Sequence, residues 1–479
     1  MTFSSIEFIV FFVIVYALIL IFNLKIISEK VSEKKQLLIK HSILLLASYV
    51  FYGWWDWRFC FLMLLLTFVA FICARQIDKN KHRKLFQAIG VIVPLIVLCV
   101  FKYFNFFIMS FTDLFGIDNP GTLAIILPVG ISFYTFQSMS YTMDVSRGHI
   151  KSHCIMNVAL YVAFFPQLVA GPIVKASDFM PQLESNHKLK MADFREGIQI
   201  FTIGLFKKLV IADNLSVFVD DVFSKPLAFS SLSVILAVIS YSIQIYCDFS
   251  GYSDMAIGVA KCFGYDFERN FNVPYLSKNV SEFWKRWHIS LSSWLQQYLY
   301  ISLGGNRKGK IRTYINLLLT MVLGGLWHGA SYNFIIWGLL HGLALCAHKF
   351  YAKVNKPWKP NVVTKMLSVL GTYCFVCVCW VFFRAETLTL AMNVLGKMFI
   401  WTPGIVQVFS WTIFAVAVII VSHGVVCFRK RKLDLDRVEG YYPVVNLNTV
   451  WGLTLFFVFW GIILCLAYTN ANPFIYFQF

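Results

Sequence analysis

Apolar residues follow one another along this chain in long runs, from Ile6–Leu24 near the start to Val450–Tyr468 near the end. A run of roughly 20 such residues, rising about 1.5 Å each, crosses a bilayer as a helix. Between those two lie candidate spans at Leu37–Phe51, Phe59–Ala74, Ala88–Phe104, Thr122–Met143, Val158–Val174, Ile198–Ala212, Leu232–Cys247, Tyr314–Trp327, Phe334–Ala347, Met366–Phe383 and Phe409–Val426. Several are short enough to be re-entrant or interfacial, which leaves about ten to thirteen membrane helices. The runs do not alternate with period two, as the strands of a membrane barrel would. The pattern predicts an all-α, polytopic transmembrane helical bundle, organised as one integral-membrane domain over 1–479. The first run lacks a basic region before it and a small-residue cleavage site after it, so it reads as a retained helix. No soluble domain, internal repeat or low-complexity linker is visible.

Composition removes the soluble alternative. Hydrophobic residues make up 58% of the 479, charged residues 14%, and the mean hydropathy is +0.68. A soluble surface needs far more polar groups. The 48 Phe and 14 Trp suit a lipid-facing perimeter with interfacial belts, as in FYGWWDWRF from Phe51 to Phe59. The 12 Cys lie scattered in apolar runs, and even CFVCVC, Cys374 to Cys379, has no His or carboxylate neighbour. They read as small buried hydrophobes, with no metal site and no bound cofactor expected.

The formal charge of +18 fits positive-inside loops and anionic headgroups without any nucleic-acid partner. The basic loops EKVSEKKQLLIK after the first span, RQIDKNKHRK from Arg75 and RKRK from Arg429 assign their side to the cytoplasm. The turn TDLFGIDNPG from Thr112 carries acids and no Lys or Arg, and the alternation places both termini outside. The stretch Phe267 to Arg312, with Arg269, Lys278, Lys285, Arg286, Arg307, Lys308, Lys310 and Arg312, is too polar for a simple span and falls on the cytoplasmic side.

Two histidines stand out in this apolar setting. In FWKRWHISLSSWLQQYLY, Trp284, His288, Leu291 and Leu295 recur at helical spacing, which predicts a continuous amphipathic helix on or in the inner face of the membrane. His288 rides on its buried stripe; a core histidine bonded to a carbonyl and a functional one both fit. In GGLWHGASYNFIIWG, Gly324 to Gly338, His328 is an ionisable group in an apolar span, which by default marks a site facing a cavity or the bundle interior. Gly324, Gly325 and Gly329 beside it remove bulk and admit a second backbone or a ligand. A neutral imidazole accepts a proton from a hydroxyl near pH 7. No Gly-x-Ser-x-Gly elbow, His-Glu-x-x-His, P-loop or dinucleotide fingerprint offers a competing chemistry. A histidine base with no protein nucleophile fits direct transfer of an activated group to a hydroxyl. A proton-coupled transporter using His288 and His328 as a relay fits these residues too.

A third cluster, YCDFSGYSDMAIG from Tyr246 to Gly258, holds Asp248 and Asp254. They orient a histidine or hold a sugar hydroxyl on one reading, and cap the next helix on the other. His341 in WGLLHG reads as packing within its span, Arg384 in VFFRAE as an interfacial anchor, and FFPQLVAGP, Phe164 to Pro172, as a turn.

Taken in order, LPVGISFYTFQSMSYTMDVSRG, FFPQLVAGPI, YCDFSGYSDMAIG, FNVPYLSKNVSEFWKRWHISLSSWLQQYLYISLGGN, GGLWHGASYNFIIWG, FFRAE and the terminal PFIYFQF give the resemblance. The chain resembles the membrane-bound O-acyltransferase (MBOAT) family, in its bacterial AlgI-like (alginate O-acetylase) branch. The resemblance implies a bundle with re-entrant segments around a central tunnel, with acetyl-CoA or another acyl thioester as cytoplasmic donor and an extracytoplasmic hydroxyl as acceptor. It implies His328 as general base and His288 as a supporting catalytic-site residue near donor entry. Trp284, Arg286, Trp327, Asp248, Asp254, Asn272 and Tyr275 are the accompanying candidates for substrate or donor binding. It implies O-acetylation of an alginate-like exopolysaccharide or of peptidoglycan, with D-alanyl transfer towards teichoic acids as the alternative within the family. It further implies a separate SGNH-like extracytoplasmic transferase as partner, and residence in the bacterial cytoplasmic (inner) membrane.

Overall fold

The computed structural model describes residues 1–23, 31–117, 121–169, 171–354, 361–433, 445–468 and 474–475. The side chains of the RKRK run from Arg429 and the terminal residues 476–479 lie outside the described set. Among the described residues the chain is helical, with no strand beyond one isolated bridge between Phe229 and Ile405.

In chain order the helices are α1 (Ile6–Asn23), α2 (Glu33–Asp56), α3 (Arg58–Asp78), α4 (Arg83–Leu98), α5 (Phe104–Phe115), α6 (Ile131–Arg147), α7 (Ile155–Ala163), α8 (Phe165–Leu168), α9 (Ala176–Glu184) and α10 (Met191–Phe206). There follow α11 (Asp213–Ser224), α12 (Ser231–Cys262), α13 (Val280–Trp284), α14 (Ile289–Trp294), α15 (Lys310–His328), α16 (Tyr332–Val354), α17 (Val362–Arg384), α18 (Leu388–Phe399), α19 (Ser410–Leu433) and α20 (Val450–Leu466). Single π-helical turns sit at Cys99–Tyr103, Lys207–Ala212 and Leu295–Tyr300.

Six helical stretches among the described residues are long and apolar enough to cross a bilayer: Glu33–Asp56, Arg58–Asp78, Arg83–Phe115, Ser231–Cys262, Tyr332–Val354 and Val362–Arg384. Shorter apolar helices run over Ile6–Phe22, Leu388–Phe399, Ser410–Val426 and Val450–Leu466. Large apolar side chains on these helices point outward, with Leu114 78% and Trp451 79% exposed. Water would penalise that arrangement and hydrocarbon does not. The protein is a multi-pass, all-α membrane protein.

The chain divides into two compact units, Met1–Phe201 with Ser253–Glu268, and Thr202–Tyr252 with Arg269–Phe479. In the first, α3, α4, α7 and α9 pack against α6, which is buried from Ile131 to Ser146 despite carrying Gln137, Asp144 and a row of Ser and Thr. Two of its hydroxyls return to its own backbone, Ser138 to the Thr135 carbonyl and Ser140 to that of Gln137, each at 2.9 Å. Such pairing offsets the desolvation of polar groups in an apolar interior.

Three expected elements take another form. The run Thr122–Met143 becomes helical only at Ile131, after Gly130 with φ +73° packs against the Leu168 carbonyl, where no side chain fits. The run Val158–Val174 is two short helices, α7 and α8, broken at Phe164. The expected amphipathic helix through His288 is also broken, into α13, a corner at His288, α14 and a π-helical turn.

Candidate active site

That corner lies in the second unit, which also holds both candidate histidines. Asn279 caps α13, its side-chain oxygen accepting from the Glu282 N–H at 2.8 Å. The helix cannot continue because the irregular segment Asn270–Asn272 takes its backbone groups. The Asn272 N–H donates to the Arg286 carbonyl (2.8 Å) and the Ile289 N–H donates to the Asn270 carbonyl (2.9 Å). His288 between them is left-handed, φ +44°, and so is Val273 on the neighbouring segment, φ +43°. Left-handed backbone in a non-glycine residue costs on the order of 1–3 kcal/mol and gathers at functional sites. The buried stripe survives the break: Trp284, His288, Leu291 and Leu295 are all buried.

The His288 ring is 0% exposed. Phe249 meets it edge-on at 4.5 Å between centroids, and Phe271 and Trp327 lie at 6.4 and 6.2 Å. Its Nδ1 is 3.2 Å from Asn270 Oδ1. His288 stands outside the spanning helices, and burial alone pushes its pKa down to about 3, so the imidazole is neutral at physiological pH. The core reading expected a carbonyl partner, and the structure supplies the side-chain oxygen of Asn270.

His328 closes the C-terminal end of α15 and is 3% exposed. Trp327, Trp337 and Phe383 surround it at 5.0, 5.0 and 5.2 Å, each near edge-on. Trp327 thus touches both histidines. The helices α15 and α16 approach closely enough that a Cβ on Gly325 would lie 2.2 Å from the Phe334 carbonyl oxygen. The bulk removed at Gly325 therefore admits a second backbone, and that at Gly329 admits the Phe334 ring.

The remaining candidates divide. Trp284 packs on Trp337 at 5.7 Å and donates its Nε1–H to His341 Nδ1 at 3.3 Å, inside the same aromatic cluster. Tyr275 meets Tyr246 edge-on and packs tilted against Trp287, and it donates its hydroxyl to the Ser242 carbonyl. Asn272 holds the corner through its backbone, and Arg286 is committed to Glu282 at 2.6 Å. Asp248 and Asp254 lie inside α12, so neither caps a helix, which corrects that expectation. Asp248 pairs with Lys208 at 2.7 Å, Lys208 also pairs with Asp213 at 2.8 Å, and all three are buried. The second oxygen of Asp248 accepts the Ile475 N–H at 2.9 Å. Asp254 is buried in the first unit. His341 packs among Phe283, Trp284, Trp337 and Phe375. Arg384 pairs with Asp220 at 2.6 Å.

Sequence reasoning missed Asn270, Trp337 and Trp380. Asn270 lies 18 residues before His288, outside any local motif. Trp337 joins His328, His341 and Trp284, and Trp380 stacks on it at 5.9 Å.

Residues 42–392 match the model of the membrane-bound O-acyltransferase family, and the chain belongs to that family. It is an O-acyltransferase. It is 42% identical over 369 residues to a probable alginate O-acetylase of Pseudomonas aeruginosa, covering 75% of this chain and 70% of that one. It is 37% identical over 464 residues to a probable alginate O-acetylase of Pseudomonas putida, covering 92% and 94%. It is 40% identical over 385 residues to a peptidoglycan O-acetyltransferase of Helicobacter pylori, covering 74% and 73%.

Proposed function

We propose that this protein O-acetylates an extracytoplasmic polysaccharide, drawing the acetyl group from a cytoplasmic thioester, acetyl-CoA, with His328 as general base. The whole of 1–479 acts as one integral-membrane domain in the bacterial inner membrane. In the transfer, the acceptor hydroxyl oxygen forms a bond to the acetyl carbon, and the carbon–sulfur bond breaks. The hydroxyl proton passes to the His328 imidazole and from there to the departing thiolate. The acceptor is an alginate-like exopolysaccharide or peptidoglycan, reached with a separate SGNH-like extracytoplasmic transferase.

The observation that carries this reading is the burial of His328 at a helix end among Trp327, Trp337 and Phe383. A neutral imidazole accepts a proton from a hydroxyl near pH 7. Positioned general-base catalysis contributes roughly 10²–10⁴-fold, or about 3–5 kcal/mol of barrier. His328→Ala and His328→Gln should therefore both insert normally and both lose glycan acetylation to about that extent. Gln keeps most of the size and hydrogen bonding and lacks the basicity. Acetylation near the wild-type level in a well-expressed His328→Gln protein would remove His328 from the mechanism. Label from acetyl-CoA reaching envelope glycan supports acetyl transfer; label from D-alanine reaching teichoic acid instead would overturn the acetyl assignment.

A further inference from the structure

The side-chain oxygen of Asn270 is contacted by two residues of the strained corner, His288 and Ser290. It takes the Ser290 backbone N–H at 3.1 Å and the Ser290 hydroxyl at 2.9 Å, and it lies 3.2 Å from His288 Nδ1. The Asn270 carbonyl takes the Ile289 N–H as well. A backbone N–H only donates, so the amide atom facing Ser290 has to be oxygen. An oxygen only accepts, so His288 Nδ1 has to carry the hydrogen. A neutral imidazole holds one N–H, which leaves a bare lone pair on Nε2. That Nε2 is buried and receives no hydrogen bond from any described residue.

We infer that Asn270 is a positioning residue of the transfer site: it clamps the left-handed corner and holds His288 in the Nδ1–H tautomer, so that Nε2 presents an acceptor to a substrate O–H or N–H. This rests on the reading of the site as one for acyl transfer. It has a mechanistic consequence. In this tautomer His288 cannot donate from Nε2 to the oxyanion that develops on the thioester carbonyl; it acts on a hydrogen-bearing group, an acceptor hydroxyl or an amide of the donor. The ring's neighbours Phe249, Phe271 and Trp327 bring no charge that would favour the doubly protonated form. His341 shows the opposite arrangement, its Nδ1 accepting from Trp284, so the same residue type is set in two tautomers within one unit.

The test uses the full-length protein, labelled with ¹⁵N in its histidine rings and held in lipid nanodiscs, with the His288 resonances assigned by their loss in His288→Gln. Protonated and bare ring nitrogens resonate far apart, and the expected result is a protonated Nδ1 and a bare Nε2. A proton on Nε2 in the wild type overturns the inference. Asn270→Leu keeps the shape and removes the acceptor; the Nδ1–H form should lose its dominance and transfer should fall about 10–100-fold, as when an orienting partner of a working histidine is removed. Asn270→Asp restores an acceptor oxygen. It should keep the Nδ1–H form, recover part of the rate, and move the acid limb of the rate profile to higher pH, because a carboxylate favours the imidazolium. A folded Asn270→Leu with the wild-type tautomer and rate, or an Asn270→Asp with neither recovery nor pH shift, overturns the inference. If Asn270→Leu fails to fold, the wild-type tautomer and the Asn270→Asp profile decide. A wild-type protein that moves no acetyl group refutes the transfer reading, while the tautomer measurement still judges the role of Asn270 at the corner.

Discussion

Adding one methyl group at Gly325 should separate helix packing from chemistry at His328, three residues further along α15. A Cβ there would sit 2.2 Å from the Phe334 carbonyl oxygen and 3.1 and 3.2 Å from Gly338 Cα and N. Close carbon–oxygen contacts sit at about 3.3 Å, so α15 and α16 must part by about 1 Å. The obstacle is backbone, which has no rotamer to give. Overpacking of this kind costs about 1–3 kcal/mol, and a shift of about 1 Å at a catalytic group costs on the order of 10²-fold in rate. At Gly324, one residue earlier, the new Cβ would meet only Leu295 Cδ1 at 3.1 Å, the movable end of a side chain. Gly325→Ala should therefore melt earlier in detergent and lose most acetyl transfer, while Gly324→Ala stays near wild type in both. Equal melting and equal transfer in the two variants would refute the argument that backbone contact between α15 and α16 sets the position of His328.

Other outcomes follow from the same geometry. His288 has a folded pKa of about 3 against an unfolded value near 6.5, so its contribution is complete above pH 6.5 and is lost as pH falls towards 3. At pH 5 the loss is about 2 kcal/mol, and His288→Gln should flatten the acid side of the melting profile; identical profiles would exclude it. Lys208→Met leaves two buried carboxylates, Asp213 and Asp248, without their cation, and should destabilise by about 3–5 kcal/mol; unchanged melting would show that the triad contributes nothing. For topology, cysteines replacing Lys34 and Arg83 should label from the cytoplasm and those replacing Thr2 and Phe479 from outside, and the reverse pattern would sink the orientation.

The class of fold was legible because hydrophobicity over about 20 residues is a local property, and lipid imposes it span by span. The two candidate histidines stood out for a related reason: a titratable ring among Trp, Gly and aliphatic residues is conspicuous in an apolar chain. Periodicity also marked the buried stripe from Trp284 to Leu295. It failed at the helix itself, because competition from the Asn270–Asn272 backbone, distant in sequence, broke the ladder at His288. Local sequence likewise offered capping roles for Asp248 and Asp254, whereas the fold placed both in the middle of a 32-residue helix and gave Asp248 to Lys208. What only the tertiary structure decided was partnership. The oxygen that faces His288 Nδ1 comes from 18 residues away, and the Phe383 ring reaches His328 from 55 residues away; no pattern within a single helix encodes either.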